Sequence, residues 1–284
     1  MPKTHTFTDA HGVAVTYYVW AAESPRAVLQ LAHGLGEYAL RYEALASELA
    51  SSGISVYADD HRGHGQTGLG QAPSPLGKLG VGGLRAAIDD LHQLTGIVKA
   101  DNPGLPVFFL GHSWGSLMGQ RLLNEHIADF AGAILTGTAY RMPGSMNAGD
   151  LNAKHKHLGT TGYEWLSRDE AISAAFVDDP LTFYADVLKL FGLADGMRLF
   201  GRPRKPMRAD VPLLIMIGGE DSVGGIESVH RLADAYRDRG ALTDVEVVIY
   251  DGGRHEIFNE TNKAEVTADL LAWLNKRLAL VPPR

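Results

Sequence analysis

Apolar residues follow two rhythms along this chain. Short, nearly continuous apolar runs appear at Ala27 to Ala32, Ile54 to Ala58, Val107 to Leu110, Ala131 to Thr136, Leu213 to Ile217 and Val245 to Tyr250. Between them, apolar residues return every three or four positions. Tyr42, Leu45, Ala46 and Leu49 form one such set, and Leu84, Ile88, Leu91 and Val98 another. A third helix follows Leu110 and runs to about His126. Glu227 to Arg239 and the face of Val266, Leu270, Trp273 and Leu274 complete the series. Short apolar runs bounded by turn residues predict strands buried on both faces, and the three-to-four spacing predicts amphipathic helices. Strands that alternate with helices predict a mostly parallel sheet with helices on both sides. Two further β segments open the chain, Thr4 to Thr8 and Val13 to Trp20. The turn signal Asp9-Ala10-His11-Gly12 between them predicts a hairpin.

The alternation stops between Ala139 and Met207. This stretch is richer in Met, Phe, Lys and Arg, shows no strand pattern, and ends in Arg202-Pro203-Arg204-Lys205-Pro206, a return linker. Strand and helix patterns then resume. The expected organisation is a core of residues 1–138 and 208–284 with residues 139–207 inserted between two strands of one sheet. Within the insertion, Leu188, Phe191 and Asp195 keep helical spacing and predict one mostly apolar face. Met142, Met146, Phe176, Phe183, Phe191, Leu193, Met197 and Phe200 are more large apolar side chains than a small surface excursion can bury alone. They predict packing on the sheet rim or an adaptable acyl-binding wall.

Composition narrows the chemistry. A net charge of −7 disfavours a nucleic-acid partner, which needs a basic face. There is no cysteine, so disulfides, thiolate catalysis and cysteine-bound metals are excluded. The first residues, Met1-Pro2-Lys3-Thr4-His5-Thr6, have no apolar signal core, and no apolar run approaches the ~18 residues of a membrane span. The expectation is a cytoplasmic protein without stable membrane insertion, for which transient lipid contact through the insertion remains open.

Ser113 lies in Gly111-His112-Ser113-Trp114-Gly115, directly after one apolar run and before a helical pattern. A G-x-S-x-G pentamer between strand and helix makes a sharp turn that presents the serine hydroxyl to a substrate carbonyl. Serine attacks well only if an imidazole takes its proton. His255, in the glycine-bearing loop after the last strand run, is the candidate base. Parallel strands end on one side of the sheet, so this loop and the Ser113 turn are expected at the same rim. Asp221, just past Leu213 to Ile217, is the candidate orienting acid, with Glu220 and Asp251 as competitors. The order Ser113, Asp221, His255 is that of an α/β-hydrolase triad. An acyl-transfer oxyanion needs two backbone N–H donors. The expected pair is Trp114 and Leu35, the latter in the loop His33-Gly34-Leu35-Gly36-Glu37.

Other motifs carry less. His61-Arg62-Gly63-His64-Gly65 is read as a structural loop near the site rather than a metal site. His155 and His157 are read as solvated, and Gly80-Val81-Gly82-Gly83 is no nucleotide fingerprint. No cofactor and no metal are expected.

Taken together, His33-Gly34-Leu35-Gly36-Glu37, Asp60-His61-Arg62-Gly63-His64-Gly65, Gly111-His112-Ser113-Trp114-Gly115, Gly219-Glu220-Asp221 and Arg254-His255-Glu256-Ile257-Phe258-Asn259-Glu260 resemble the monoacylglycerol lipase and lysophospholipase group of serine α/β-hydrolases. The resemblance covers nearly the whole chain and is most specific from His255 to Glu260. It implies an eight-stranded sheet, a helical cap, no cofactor and hydrolysis of small-molecule esters with a single acyl chain. Trp114 and Ser116 depart from the Met and Gly common around the nucleophile, and Asp221-Ser222-Val223-Gly224-Gly225 lacks the usual proline. One alternative is an amide or peptide hydrolase such as a prolyl aminopeptidase, with Asp178, Asp179 or Asp186 receiving the substrate amine. Another is a ligand-binding module on a catalytically dead scaffold.

Overall fold

A computed structural model describes residues 1–147 and 149–279. The boundaries of the expected core and insertion thus include positions 148 and 280–284, which lie outside the described residues. In chain order the elements are β1 (Lys3–Thr8), β2 (Ala14–Trp20), β3 (Ala27–Ala32), α1 (Glu43–Ser51), β4 (Ile54–Asp59), α2 (Gly65–Gly70), α3 (Gly83–Asp101), β5 (Val107–His112), α4 (Trp114–His126), β6 (Gly132–Thr136), α5 (Glu170–Asp178), α6 (Val187–Arg198), β7 (Leu213–Gly218), α7 (Gly225–Asp234), β8 (Val245–Tyr250) and α8 (Lys263–Leu278). The strands form one eight-stranded sheet in the order β1-β2-β4-β3-β5-β6-β7-β8. The β1–β2 and β2–β4 pairs are antiparallel, and the other pairs are parallel. This is the mostly parallel sheet that the alternating pattern predicts and the eight-stranded α/β-hydrolase fold that the resemblance implies.

The continuous apolar runs have a direct cause. Every residue of β3, β4, β5, β6 and β7 is buried, because helices cover both faces. On one face, Leu84, Leu91 and Val98 of α3 pack with Leu117 and Leu122 of α4 and Val229 of α7. On the other, Leu45 and Leu49 of α1 pack with Val266, Leu270 and Trp273 of α8. The edge strand β1 is mostly exposed, and all its residues but Phe7 are polar.

Three elements differ from the sequence expectation. Gly65–Gly70 is a short helix rather than loop; its three glycines carry almost no helical signal. The seventh helix starts at Gly225, two residues before the periodic pattern, and passes into a wider π turn over Ala235–Arg239. In α6, Gly192 (φ 74°, ψ 175°) breaks the helix. The predicted continuous face of Leu188, Phe191 and Asp195 is therefore not one face. Leu188 is 62% exposed, Phe191 packs on Trp114, and Asp195 accepts the Leu84 backbone N–H at 3.1 Å.

The stretch between β6 and β7 contains α5 and α6 and reaches the C-terminal rim of the sheet. The Phe183 N–H donates to the Gly36 carbonyl (3.1 Å), and the Tyr38 hydroxyl donates to Asp179 (2.6 Å). Among the described residues no helix is long and apolar enough to cross a membrane.

Candidate active site

The turn between β5 and α4 is forced into a conformation that few side chains adopt. Ser113 has φ 51° and ψ −123°, and among the described non-glycine residues only Ala241 shares a positive φ. The turn is over-determined by its surroundings. The Ser113 N–H donates to the Thr136 carbonyl on β6 (2.9 Å), and the Ser113 carbonyl accepts from the Ser116 hydroxyl (2.6 Å). Gly115 is required for space: a Cβ there would collide with the carbonyls of Ala32 and His33 at the end of β3. Trp114 opens α4, so its backbone N–H belongs to the first turn, where helical N–H groups have no intrahelical partner.

His255 lies in the loop after β8, and its Nδ1 is 2.9 Å from Asp221 Oδ2. The two side chains are 2% and 0% exposed. The other Asp221 oxygen accepts the Val223 N–H at 2.7 Å, which locks the carboxylate in its turn. Glu220 and Asp251, the competing acids, are exposed and make no bond to the imidazole. Burial opposes a charge on His255, but the Asp221 carboxylate outweighs it and holds the imidazole pKa above its ordinary value. The opposite ring nitrogen, Nε2, is buried without a hydrogen-bond partner. Trp165 of the inserted stretch covers the imidazole at 4.7 Å between ring centroids, and the carbonyls of Trp165 and Leu166 accept the N–H groups of His255 (3.3 Å) and Glu256 (2.8 Å).

The loop after β3 carries Leu35. Its Gly34 N–H donates to Glu37 Oε1 at 2.6 Å, and Glu37 also accepts from the Tyr42 hydroxyl (2.7 Å). Arg41 grips Glu256 with both guanidinium nitrogens (2.9 and 2.8 Å) and lies under the Phe176 ring of α5. Burial raises the Glu37 carboxyl above its ordinary pKa, against the pull of Arg41. Sequence reasoning quoted Glu37 and Glu256 inside motifs but gave the Glu37–Arg41–Glu256 network no role.

His61 and His64 also reach the site. His64 Nδ1 is 2.8 Å from the Arg62 carbonyl, its ring stacks on Trp114 (centroids 5.2 Å), and burial pushes its pKa down to about 3. His61 faces Asp59 and the β3 loop. His155, expected to be solvated, is instead buried, with Nε2 3.4 Å from the Glu220 carbonyl, whereas His157 is exposed as expected. Among the described residues, the histidine and carboxylate atoms close enough to share an ion are those of His92, His126 and Asp129. They sit at the far end of α4 from Ser113, and Lys99 already occupies Asp129 at 2.6 Å. A depression of about 360 Å³ lined by Asp150, Asn152, Lys156, Glu164 and Tyr184 includes none of the Ser113, Asp221 and His255 group.

An eight-stranded sheet with a strained serine turn and an aspartate–histidine pair at one rim defines the class of serine α/β-hydrolases. The Hydrolase_4 family, described as serine aminopeptidase, S33, matches residues 23–262. A monoacylglycerol lipase of Mycolicibacterium smegmatis is 31% identical, with 96% of this chain and 97% of that protein covered. The human monoglyceride lipase is 26% identical over 90% of this chain and 84% of its own. Among solved structures, a thermostable carboxyl esterase from Bacillus coagulans superposes with a TM-score of 0.84 at 26% identity, covering 98% of this chain and 99% of that one. The chain belongs to the Hydrolase_4 family and, within it, to the monoacylglycerol lipase-like group.

Proposed function

We propose that this protein is a carboxylic ester hydrolase acting on single-chain acyl esters of the monoacylglycerol or lysophospholipid type. Ser113 Oγ attacks the ester carbonyl, and His255 Nε2 takes its proton. Asp221 holds the imidazole by Nδ1 and stabilises the imidazolium that forms. The backbone N–H groups of Leu35 and Trp114 receive the oxyanion. The alcohol leaves with the proton from His255, and water then releases the acid from the acyl-enzyme. The observation that carries this reading is the positive-φ serine at the strand-to-helix turn, on the same rim as the buried Asp221–His255 pair.

The stretch from 139 to 207 is read as a cap over this site. Phe176, Phe183 and Phe191 of the cap face the rim, next to Arg41, His64 and Trp114 respectively. They supply an apolar surface for an acyl chain. The names of the relatives support a lipid ester as substrate. An aminopeptidase would need a carboxylate for the substrate amine. Asp179 is occupied by Tyr38, Asp186 caps α6, and Asp178 is exposed. A cytoplasmic enzyme that touches lipid transiently through exposed cap residues such as Leu193 completes the reading. A fluorophosphonate probe should label Ser113, and the purified protein should release fatty acid from a monoacylglycerol. Absence of labelling with intact folding would remove the hydrolase reading; labelling with no lipid hydrolysis would remove only the substrate.

A further inference from the structure

A second aspartate–histidine pair lies one rim loop away from Ser113. Asp59 ends β4, and its Oδ2 is 2.8 Å from His61 Nδ1. The other ring nitrogen, His61 Nε2, is 3.2 Å from the His33 carbonyl oxygen. Both partners are acceptors only, a carboxylate and a carbonyl. A neutral imidazole donates from one nitrogen, so filling both bonds requires the doubly protonated ring. His33 is the opposite case. Its Nε2 accepts the His61 backbone N–H (3.0 Å), so its proton is on Nδ1, which donates to the Gly34 carbonyl (2.7 Å). A neutral ring therefore stacks on a cationic one, with centroids 3.9 Å apart.

These bonds converge on the two peptide units that lead to Leu35. The His33–Gly34 peptide is held at both ends, its carbonyl by His61 and its N–H by Glu37 (2.6 Å). The Gly34–Leu35 peptide has its carbonyl held by His33, which fixes the plane that carries the Leu35 N–H. We infer that His61, held as an imidazolium by Asp59, is a positioning residue that sets the orientation of the Leu35 oxyanion donor. The inference rests on the hydrolase reading above for the role of Leu35, but not for the charge on His61.

The groups facing His61 agree with a charged ring. Asp59 and Asp60 are on its own segment, and Asp60 is held by the N–H groups of Ala39 and Gln66. His33 from the β3 loop and His64 are neutral neighbours, and the Trp114 ring of α4 meets His61 at 5.6 Å in a T-shaped contact. Arg62 is neutralised by Asp90 of α3 and by Asp9. Burial opposes the charge, Asp59 favours it, and the pKa is raised. Deprotonation at high pH would leave a lone pair facing the His33 carbonyl and loosen the donor.

The test uses the full chain labelled with ¹⁵N-histidine. Near neutral pH, both His61 ring nitrogens should be protonated in the wild type. His61→Gln and Asp59→Asn should lower kcat on p-nitrophenyl butyrate about 10- to 100-fold, part of the ~10²–10³ that follows loss of a whole donor. KM should change little, and the alkaline fall in kcat should disappear in His61→Gln. A His61 ring with one bare nitrogen overturns the inference whatever the kinetics. So do folded variants whose kcat stays within about twofold of wild type. If His61→Gln does not fold, Asp59→Asn decides by the same readouts. The NMR result needs no turnover, so failure of Ser113 to label would count against the hydrolase reading alone.

Discussion

In β3, β5 and β7 no side chain is left to solvent, whereas Tyr184, Leu188, Leu193 and Met197 of the inserted stretch are 57–72% exposed. The two regions are held by different forces. The sheet is fixed by apolar burial on two faces. The inserted stretch leans on the rim through a few aromatic contacts and a set of hydrogen bonds to backbone. Lys78 reaches the carbonyls of Lys189 and Leu190 (2.8 and 3.0 Å), and Arg121 the carbonyl of Arg198 (2.6 Å). Hydrogen bonds between solvent-accessible groups contribute little net stability, so this region opens at lower cost than the core. On the proposed reading the difference separates tasks: the chemistry belongs to the rim of the buried sheet, and the acyl chain to the side of the stretch that leaves more of its apolar residues exposed.

The sharpest break of that division is at the serine. Ser113→Ala should lose about 10⁶-fold in kcat, by analogy with nucleophile removal in serine proteases, while the melting temperature stays unchanged. Thermal unfolding and ester turnover on one preparation check this; near-normal turnover would remove Ser113 from the chemistry. Next in size is Asp221→Asn, expected to cost about 10⁴-fold through loss of the correct tautomer. His255 must be neutral to accept a proton, and Asp221 raises its pKa. Activity should therefore rise with pH through a value above the ordinary histidine range, and the residual activity of Asp221→Asn should inflect at lower pH. An unmoved acid limb would assign that limb to another group.

Stability should divide the regions in the opposite sense. Leu110→Ala, in the middle of β5, should cost about 2–5 kcal/mol, since it opens a cavity in a close-packed core. Leu193→Ser, at 72% exposure, should fall within about 0.5 kcal/mol of wild type. Urea melts of both would test this, and equal costs would mean that the inserted stretch is as tightly packed as the sheet. The smallest effect per step belongs to the substrate. Each methylene added from acetate toward laurate should raise kcat/KM by up to about 0.8 kcal/mol in free-energy terms. A flat series, or a best substrate at acetate, would mean that Phe176, Phe183 and Phe191 are not an acyl wall.

Strand and helix order was legible because burial on two faces writes continuous apolar runs and burial on one face writes a three-to-four spacing. The Ser113 turn was legible because its steric demands select glycine at Gly111 and Gly115. The inserted stretch resisted the same reading. Phe176 and Phe191 are used by contacts to Arg41 and Trp114, far away in sequence, and Leu193 and Met197, which read as interior, point outward. Gly192 further disconnects periodicity from structure by turning the helix at one residue.

The chain alone determined the sheet class, the order of the candidate nucleophile, acid and base, and the loops that carry them, since each is a local pattern with a local physical cause. The choice of Asp221 over Glu220 and Asp251 was decided only in three dimensions, where one carboxylate reaches His255 and the other two point to water. The pairing of His61 with Asp59, the burial of His155 and the pairing of Arg41 with Glu256 were likewise tertiary outcomes. A side chain's charge and partner depend on which acceptors and how much water surround it, and those neighbours come from elements tens or hundreds of residues apart.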